Sequence, residues 1–195
     1  MSDRLCIAAQ DTQRWLERAV IGLNLCPFAK AVHVKNQVHY AVTAATAPDA
    51  LLTVLATELL ALADIDPEVR DTTLLVMPDA FPDFLDFNDF VAEADTVLAR
   101  LDLDGTLQIA PFHPRFQFAG TLDDDITNYT NRAPYPTLHL IREASIDRAV
   151  QAFPEAEAIY EVNMDTLEQL GLAGWQALDV GPTLAAAPDD NTSAS

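Results

Sequence analysis

The polar segment NYTNRAPYP, residues 128–136, carries the side chains with the clearest capacity for chemistry. It places Asn128, Asn131, Arg132 and Tyr135 close together in a chain otherwise rich in Ala, Leu, Val and Asp. A guanidinium offers a planar fork of donors that matches a carboxylate or a phosphate, and amides and hydroxyls add directional hydrogen bonds. These residue types predict a pocket for a small anionic metabolite, with the four side chains as substrate-binding residues.

The same segment also fits a structural role. Asn is a common turn former because its amide hydrogen-bonds nearby backbone groups, and Asn128 and Asn131 suit that use. Arg132 has a local ionic partner in the acidic run at 123–125. The sequence leaves both interpretations open.

Two histidines extend the predicted site. His113 follows a predicted strand and is a candidate general base. His139 alternates with Leu138 and Leu140, so its side chain points away from their face of a strand. We include His139 as a substrate-binding residue, with a core or capping histidine as the alternative.

The segment NLCPFAK offers a candidate nucleophile, Cys26. A cysteine attacks as the thiolate, which a helix N-terminus stabilises and a helix C-terminus disfavours. Pro27 allows both geometries, because it ends the preceding helix or begins a short turn towards Lys30. We predict Cys26 and His113 as a catalytic pair, with a buried and unreactive cysteine as the alternative.

The sequence predicts neither a metal site nor a cofactor. Its four histidines form no HxxxH or HExxH pair, and the acidic run at 123–125 lacks the Gly and terminal Glu of a calcium loop. Six glycines form no glycine-rich phosphate loop, and there is neither a GxSxG elbow nor a CxxC motif.

Alternating helices and strands must position these residues. Apolar runs bounded by turn residues predict strands at 38–43, 72–77, 106–112 and 136–142. Periodic patterns predict helices at 11–24, 46–62, 87–101 and 146–153, and a helical pair at about 155–171. This order predicts an α/β fold, a single domain with a mixed sheet of four or five strands covered by helices. An α+β ferredoxin-like arrangement is the alternative.

Two features of the connections bear on the site. The stretch from 111 to 136 spans 26 residues, whereas connections of about 4–6 residues are usual, and long loops in compact domains commonly bind ligands. Within it, RFQFAG at 115–120 predicts a short strand.

Before the third helix, Phe81, Phe84, Phe87 and Phe90 recur every three residues, which indicates rings that anchor the helix on the core.

The length of 195 residues fits one domain. We predict a flexible segment at 1–9, a single globular domain at 10–175 and a disordered acidic tail at 184–195.

The net charge of −19, from 11 Lys and Arg and 30 Asp and Glu, restricts the classes of binding partner that we expect. Such a field repels nucleic-acid phosphates and anionic lipids, so we expect neither nucleic acid nor membrane as a partner. The N-terminal residues resemble no signal peptide, and Cys6 and Cys26 form no disulfide framework. We expect a soluble cytoplasmic protein and leave its oligomeric state open.

Three blocks of the sequence resemble a known family. WLERAVIGLNLCPFAK, FHPRFQFAG and NYTNRAPYPTLHLIREAS are similar to the bacterial family named domain of unknown function 1415, and the resemblance covers about residues 12–172. The family's HP block more often continues with an acidic residue and Tyr, where this chain has Arg115 and Phe116, so the resemblance lends no support to Arg115 as a site residue. It implies no reaction.

We therefore predict that the protein binds or transforms a small anionic metabolite in a pocket formed by the 113–135 loop and the Cys26 turn. Whether it is an enzyme stays open. The alternatives are a non-catalytic binding or regulatory module and an interaction domain that docks a partner on FPDFLDF.

Overall fold

A four-stranded mixed sheet forms the centre of the computed structural model, which describes residues 3–152 and 159–183. The strands are β1 (Val38–Val42), β2 (Thr72–Val76), β3 (Leu107–Phe112) and β4 (Thr137–Arg142). Across the sheet they lie in the order β1-β2-β4-β3; β1 and β2 are parallel, and β4 is antiparallel to β2 and β3. The three strands β1, β2 and β3 therefore point in one direction. The predicted α/β fold is confirmed, and the parallel β1–β2 pair excludes an antiparallel, ferredoxin-like sheet.

Helices flank the sheet on both faces. The described ranges contain α1 (Asp3–Trp15), α2 (Ala29–Val34), α3 (Pro48–Asp64), α4 (Phe84–Arg100), α5 (Glu143–Ala152) and α6 (Ile159–Ala177). A π-helical turn (Leu16–Ile21) continues α1, and a 3-10 helix (Ile126–Asn131) lies in the long loop between β3 and β4. None of the helices in these ranges is long and apolar enough to cross a membrane.

Local sequence explains where the longer helices begin. Pro48 occupies the first turn of α3, where its missing N–H would be unpaired in any case. At α4 the Asp83 carboxylate accepts a hydrogen bond from the Leu85 N–H, which caps the helix.

The face of the sheet covered by α3 and α4 is a largely apolar core. Leucines at four-residue or three-residue spacing on α3 are fully buried, and so is Phe87 on α4, while Phe90 is almost so. Phe81 and Phe84 are partly buried and pack against the same cluster. The prediction that these four rings anchor the helix on the core is confirmed.

The opposite face is covered by α1, the π-helical turn and residues from the end of α6. Trp15, Leu16 and Val20 pack there with Phe112 and Tyr40 from the sheet. Asp11 of α1 is among the polar groups buried on this side.

Several features differ from the sequence-based expectations. The first helix begins at Asp3 rather than at residue 11, so the backbone of 3–9, which we expect to be flexible, is helical. The strand predicted at 115–120 is wrong, because this segment consists of turns and irregular backbone. In α6 the helical course is interrupted at Gly171, whose φ is +63°. The tail predicted at 184–195 lies outside the described residues.

Candidate functional site

A cavity of about 700 Å³ lies at the end of the sheet where β2 and β3 finish and β4 begins. Its walls come from residues 78–82 after β2, 113–115 after β3 and 134–136 before β4, with contributions from Arg4 and Pro182. This is the carboxyl edge of the three co-directional strands, the edge at which open α/β sheets usually bind ligands. We refer to this cavity as the edge pocket.

Proline dominates the wall of the edge pocket. Half of the chain's twelve prolines line it, and they come from four separate segments: Pro78, Pro82, Pro114, Pro134, Pro136 and Pro182. A proline ring fixes φ and has no backbone N–H. The wall is therefore stiff and poor in backbone donors.

The charged groups of the edge pocket are two arginines and one aspartate. Arg4 forms an ion pair with Asp79 across the wall. Arg115 is exposed, and its guanidinium has neither a hydrogen bond nor an ion pair with any residue in the described part of the chain. Among the described residues of the wall, Arg115 is therefore the cation without an anionic partner.

His113 is a buried part of the wall, with 1 % of its surface exposed. Its ring stacks on Phe87, its Nδ1 accepts a hydrogen bond from the Arg115 N–H at 3.0 Å, and its Nε2 lies 2.9 Å from the Phe81 carbonyl. Because Nδ1 accepts, Nε2 carries the proton and donates it to that carbonyl. Burial lowers the pKa of His113 although the bond to Phe81 opposes this, so the ring is neutral.

The contacts of His113 explain an unusual backbone next to it. Phe81 has a φ of +50°, which is uncommon for a residue with a Cβ and has a steric cost. The hydrogen bond from His113 holds the carbonyl of this residue in place. Both ring nitrogens are thus occupied, and the geometry favours a positioning role for His113 over that of a general base.

Tyr135 joins the edge pocket to α1. Its hydroxyl donates to the Asp11 carboxylate at 2.7 Å, and Asp11 also accepts from the Thr183 N–H and hydroxyl and pairs with Arg14 at 2.9 Å. Burial alone would raise the pKa of Asp11, but the bonds from Thr183 and Tyr135 and the charge of Arg14 lower it overall. Burial and the contact with Asp11 raise the pKa of Tyr135, so its hydroxyl keeps its proton.

The same side of α1 fixes the chain after α6. Arg14 donates to the carbonyls of Asp179 and Gly181, and Arg18 donates to the carbonyl of Leu178. Together with the bonds from Thr183 to Asp11, these contacts hold residues 178–183 against α1. Pro182 is thereby kept in the wall of the edge pocket.

Asn128 stabilises the middle of the long loop from within. It is fully buried; its Oδ1 accepts from the Phe118 N–H at 2.9 Å and the Thr121 hydroxyl at 2.8 Å, and its Nδ2 donates to the Leu122 carbonyl at 2.7 Å. These bonds satisfy the side-chain amide on both sides. Asn131 likewise donates to the Pro111 carbonyl at 3.2 Å.

Arg132 is also engaged inside the loop. Its Nε donates to the Phe116 carbonyl at 3.1 Å, its Nη2 donates to the Asp123 carbonyl at 2.6 Å, and the guanidinium lies 4.4 Å from the centre of the Tyr129 ring. It lines a smaller neighbouring cavity of about 160 Å³ rather than the edge pocket. The contacts match the structural interpretation of this residue.

Cys26 and His139 do not line the edge pocket; Cys26 packs against the cluster under α1, and His139 contacts Phe112. Burial raises the pKa of Cys26, although the backbone N–H groups of Phe28 and Ala29 lower it in part. His139 Nε2 lies 2.6 Å from the Thr72 hydroxyl, which itself donates to the Leu140 carbonyl. Burial lowers the pKa of His139 to about 4.

Of the seven site residues that the sequence predicts, His113 and Tyr135 line the edge pocket. The remaining five do not: Cys26, Asn128, Asn131, Arg132 and His139. The Cys26 turn contributes to neither of the two cavities. No group of three or more His, Cys, Asp or Glu within residues 3–152 and 159–183 is placed to hold a metal ion.

Sequence reasoning missed Arg4, Asp79 and Asp11. Asp11 had a visible signal, because it lies on the helix face that also carries Ala8 and Trp15, where a carboxylate requires buried partners. Arg4 and Asp79 are separated by more than seventy residues and carry no local pattern that relates them.

The fold and the cavity define an α/β protein with a proline-walled pocket at the carboxyl edge of its sheet. The family model described as "Protein of unknown function (DUF1415)" matches residues 7–177, and the chain belongs to this family. The resemblance seen in the sequence is thereby confirmed. No curated protein and no solved structure matches the chain.

Proposed function

We propose that the protein binds a small anionic molecule in the edge pocket, with Arg115 as its principal cation. One observation carries the proposal: the Arg115 guanidinium, which has no ionic partner within residues 3–152 and 159–183, lies on the wall of a cavity of about 700 Å³, in a chain whose net charge is −19. Pockets for small molecules typically have volumes of about 300–1,000 Å³ and few charged groups. In a strongly acidic protein, an unpaired arginine at such a place attracts an anion locally against the overall field.

Binding is better supported than covalent catalysis by cysteine. Nucleophilic attack needs a thiolate, and burial raises the pKa of the Cys26 thiol. The partner predicted for it, His113, uses both ring nitrogens in hydrogen bonds. These contacts favour the non-catalytic binding or regulatory module among the functions that the sequence leaves open.

The interaction-domain alternative has weaker support. It requires the rings of FPDFLDF to face solvent, but Phe87 is fully buried and Phe81 and Phe84 pack against the same core. The location that we propose is the cytoplasm, supported by Cys6 and Cys26, which are both free thiols.

A thermal-shift screen of carboxylates, phosphates and neutral metabolites tests the proposal. A ligand at 100 times its dissociation constant adds about 2.7 kcal/mol of stability, which such a screen detects easily. We expect anionic hits whose stabilisation is lost in Arg115→Ala. The matched control is Arg100→Ala, which removes the same charge from an exposed position in α4, away from the edge pocket. Anionic hits that stabilise Arg115→Ala as strongly as the wild type would refute the proposal.

A further inference from the structure

The wall of the edge pocket also restricts the chemical class of the ligand, if the anion-binding role proposed above is correct. We infer that the ligand is a monocarboxylate with an apolar body rather than a phosphate ester or a nucleotide. Three properties of the wall support this inference: its backbone donors, its charges and the chemistry of the remaining surface.

The backbone of the wall offers few donors to a phosphate. Protein phosphate sites depend on arrays of free backbone N–H groups, at helix N-termini or in nests. Six wall residues are prolines and have no N–H. The N–H groups of Ala80, His113 and Arg115 are bonded to Met77, Asn131 and the His113 ring. Nine of the thirteen wall residues thus offer no free backbone N–H, and the Arg115 guanidinium is the strongest donor on the wall.

The charges of the wall match a single negative charge. Arg4 and Asp79 neutralise each other, His113 is neutral, and Tyr135 is protonated. Arg115 is left as one positive charge, and its planar fork binds both oxygens of a carboxylate. A phosphate monoester carries a charge of about −1.5 to −2 at pH 7, which one guanidinium in an acidic protein compensates poorly.

The rest of the wall suits an apolar body. Eight of the thirteen lining residues are prolines, Ala80 or Phe81. Tyr135 donates its only proton to Asp11, so towards the cavity its hydroxyl can only accept a hydrogen bond. A ligand covered with hydroxyls or phosphates would lose hydrogen bonds to water that this wall does not replace.

Three compounds with the same ring system test the inference by isothermal titration calorimetry at pH 7: 1-naphthylacetate, its neutral amide and 1-naphthyl phosphate. We expect naphthylacetate to bind at least about tenfold more tightly than either other compound, because only it gains a matched charge-assisted hydrogen bond. In Arg115→Ala the preference over the amide should disappear, while Arg100→Ala should retain it.

The outcomes separate this inference from the proposed function. If naphthyl phosphate binds as tightly as naphthylacetate and both depend on Arg115, the ligand class is wrong but the anion site stands. If the amide equals naphthylacetate in the wild-type protein, the ligand class and the anion site both fail. If none of the three binds at millimolar concentration, the ligand class is wrong, and the metabolite screen still decides the proposed function.

Discussion

The middle of the long loop and its two ends use their polar side chains in opposite ways. Between residues 116 and 132, Asn128 and Arg132 hydrogen-bond to the backbone of the loop itself. At the ends, next to β3 and β4, Arg115 has no partner in the described ranges and Tyr135 reaches out to α1. The polar side chains in the middle therefore hold the loop's own backbone in place, whereas those at the ends face the edge pocket.

This difference shows how a loop of this length stays ordered without a strand. The middle satisfies backbone groups of the loop through the buried amide of Asn128, and its rings pack against α6, where Phe118 contacts Tyr160 and Tyr129 contacts Trp175. The end at β4 depends on a distant carboxylate, that of Asp11, which also holds Thr183. The two regions should consequently respond differently to pH and to substitution.

The largest effect is expected at Asp11, which ties the β4 end of the loop to α1. Asp11→Asn removes a buried charge that accepts bonds from Tyr135 and Thr183 and pairs with Arg14, and such losses cost about 3–5 kcal/mol of unfolding free energy. Urea unfolding at pH 7 measures this cost. The control is Asp89→Asn, at an exposed position in α4.

The pH dependence of the Asp11 effect follows from the direction of its pKa shift. The folded pKa of Asp11 lies below the usual aspartate value of 3.8, so the stabilisation is present above pH 3.8 and is lost as the pH falls through the folded pKa. The difference in stability between wild type and Asp11→Asn should thus shrink below pH 3.8. A difference that is constant down to pH 3 would show that the carboxylate charge does not hold this end of the loop.

The middle of the loop should be destabilised by Asn128→Ala without any such pH dependence. The substitution leaves the Phe118 N–H, the Thr121 hydroxyl and the Leu122 carbonyl without their partner, and we expect a cost of about 2–4 kcal/mol. Urea unfolding at pH 7 and pH 5 should give the same cost, because no ionisable group takes part. The control is Asn88→Ala, which removes an amide from the exposed side of α4. A loss of unfolding free energy in Asn128→Ala as small as that in Asn88→Ala would contradict a structural role for Asn128.

The strands of the fold could be predicted within about one residue because their signals are local. Each is a short apolar run bounded by Pro, Gly or polar residues, and β2 and β4 are bounded by prolines at or near one end. The start of α1 could not be predicted in this way. The sequence pattern starts the first helix at residue 11, but in the fold Asp11 is a buried residue within α1, and its partner Thr183 lies at the other end of the described chain.

The site was only partly predictable for the same reason. The long loop, His113 and Tyr135 could be found because polar residues cluster where a connection is too long. The pattern does not reveal which polar side chains turn inward, so Asn128 and Arg132 are indistinguishable in the sequence from pocket residues. Arg4, Asp79 and Pro182 reach the edge pocket only through tertiary packing.

The smallest effect on stability is expected at Arg115. The contrast between Arg115 and Arg132 tests most directly whether the ends and the middle of the loop have different roles. Without ligand, Arg132→Ala should lower the unfolding free energy by about 1–3 kcal/mol, because the Phe116 and Asp123 carbonyls lose a charged donor. Arg115→Ala should change it by less than about 0.5 kcal/mol, since its guanidinium is exposed and makes no bond in the described chain. With an anionic ligand the order should reverse: Arg132→Ala keeps most of the ligand-induced stabilisation, whereas Arg115→Ala loses it. Urea unfolding of both variants with and without the ligand measures all four values. A large cost for Arg115→Ala without ligand, or loss of the ligand effect in Arg132→Ala alone, would place the anion site in the middle of the loop instead.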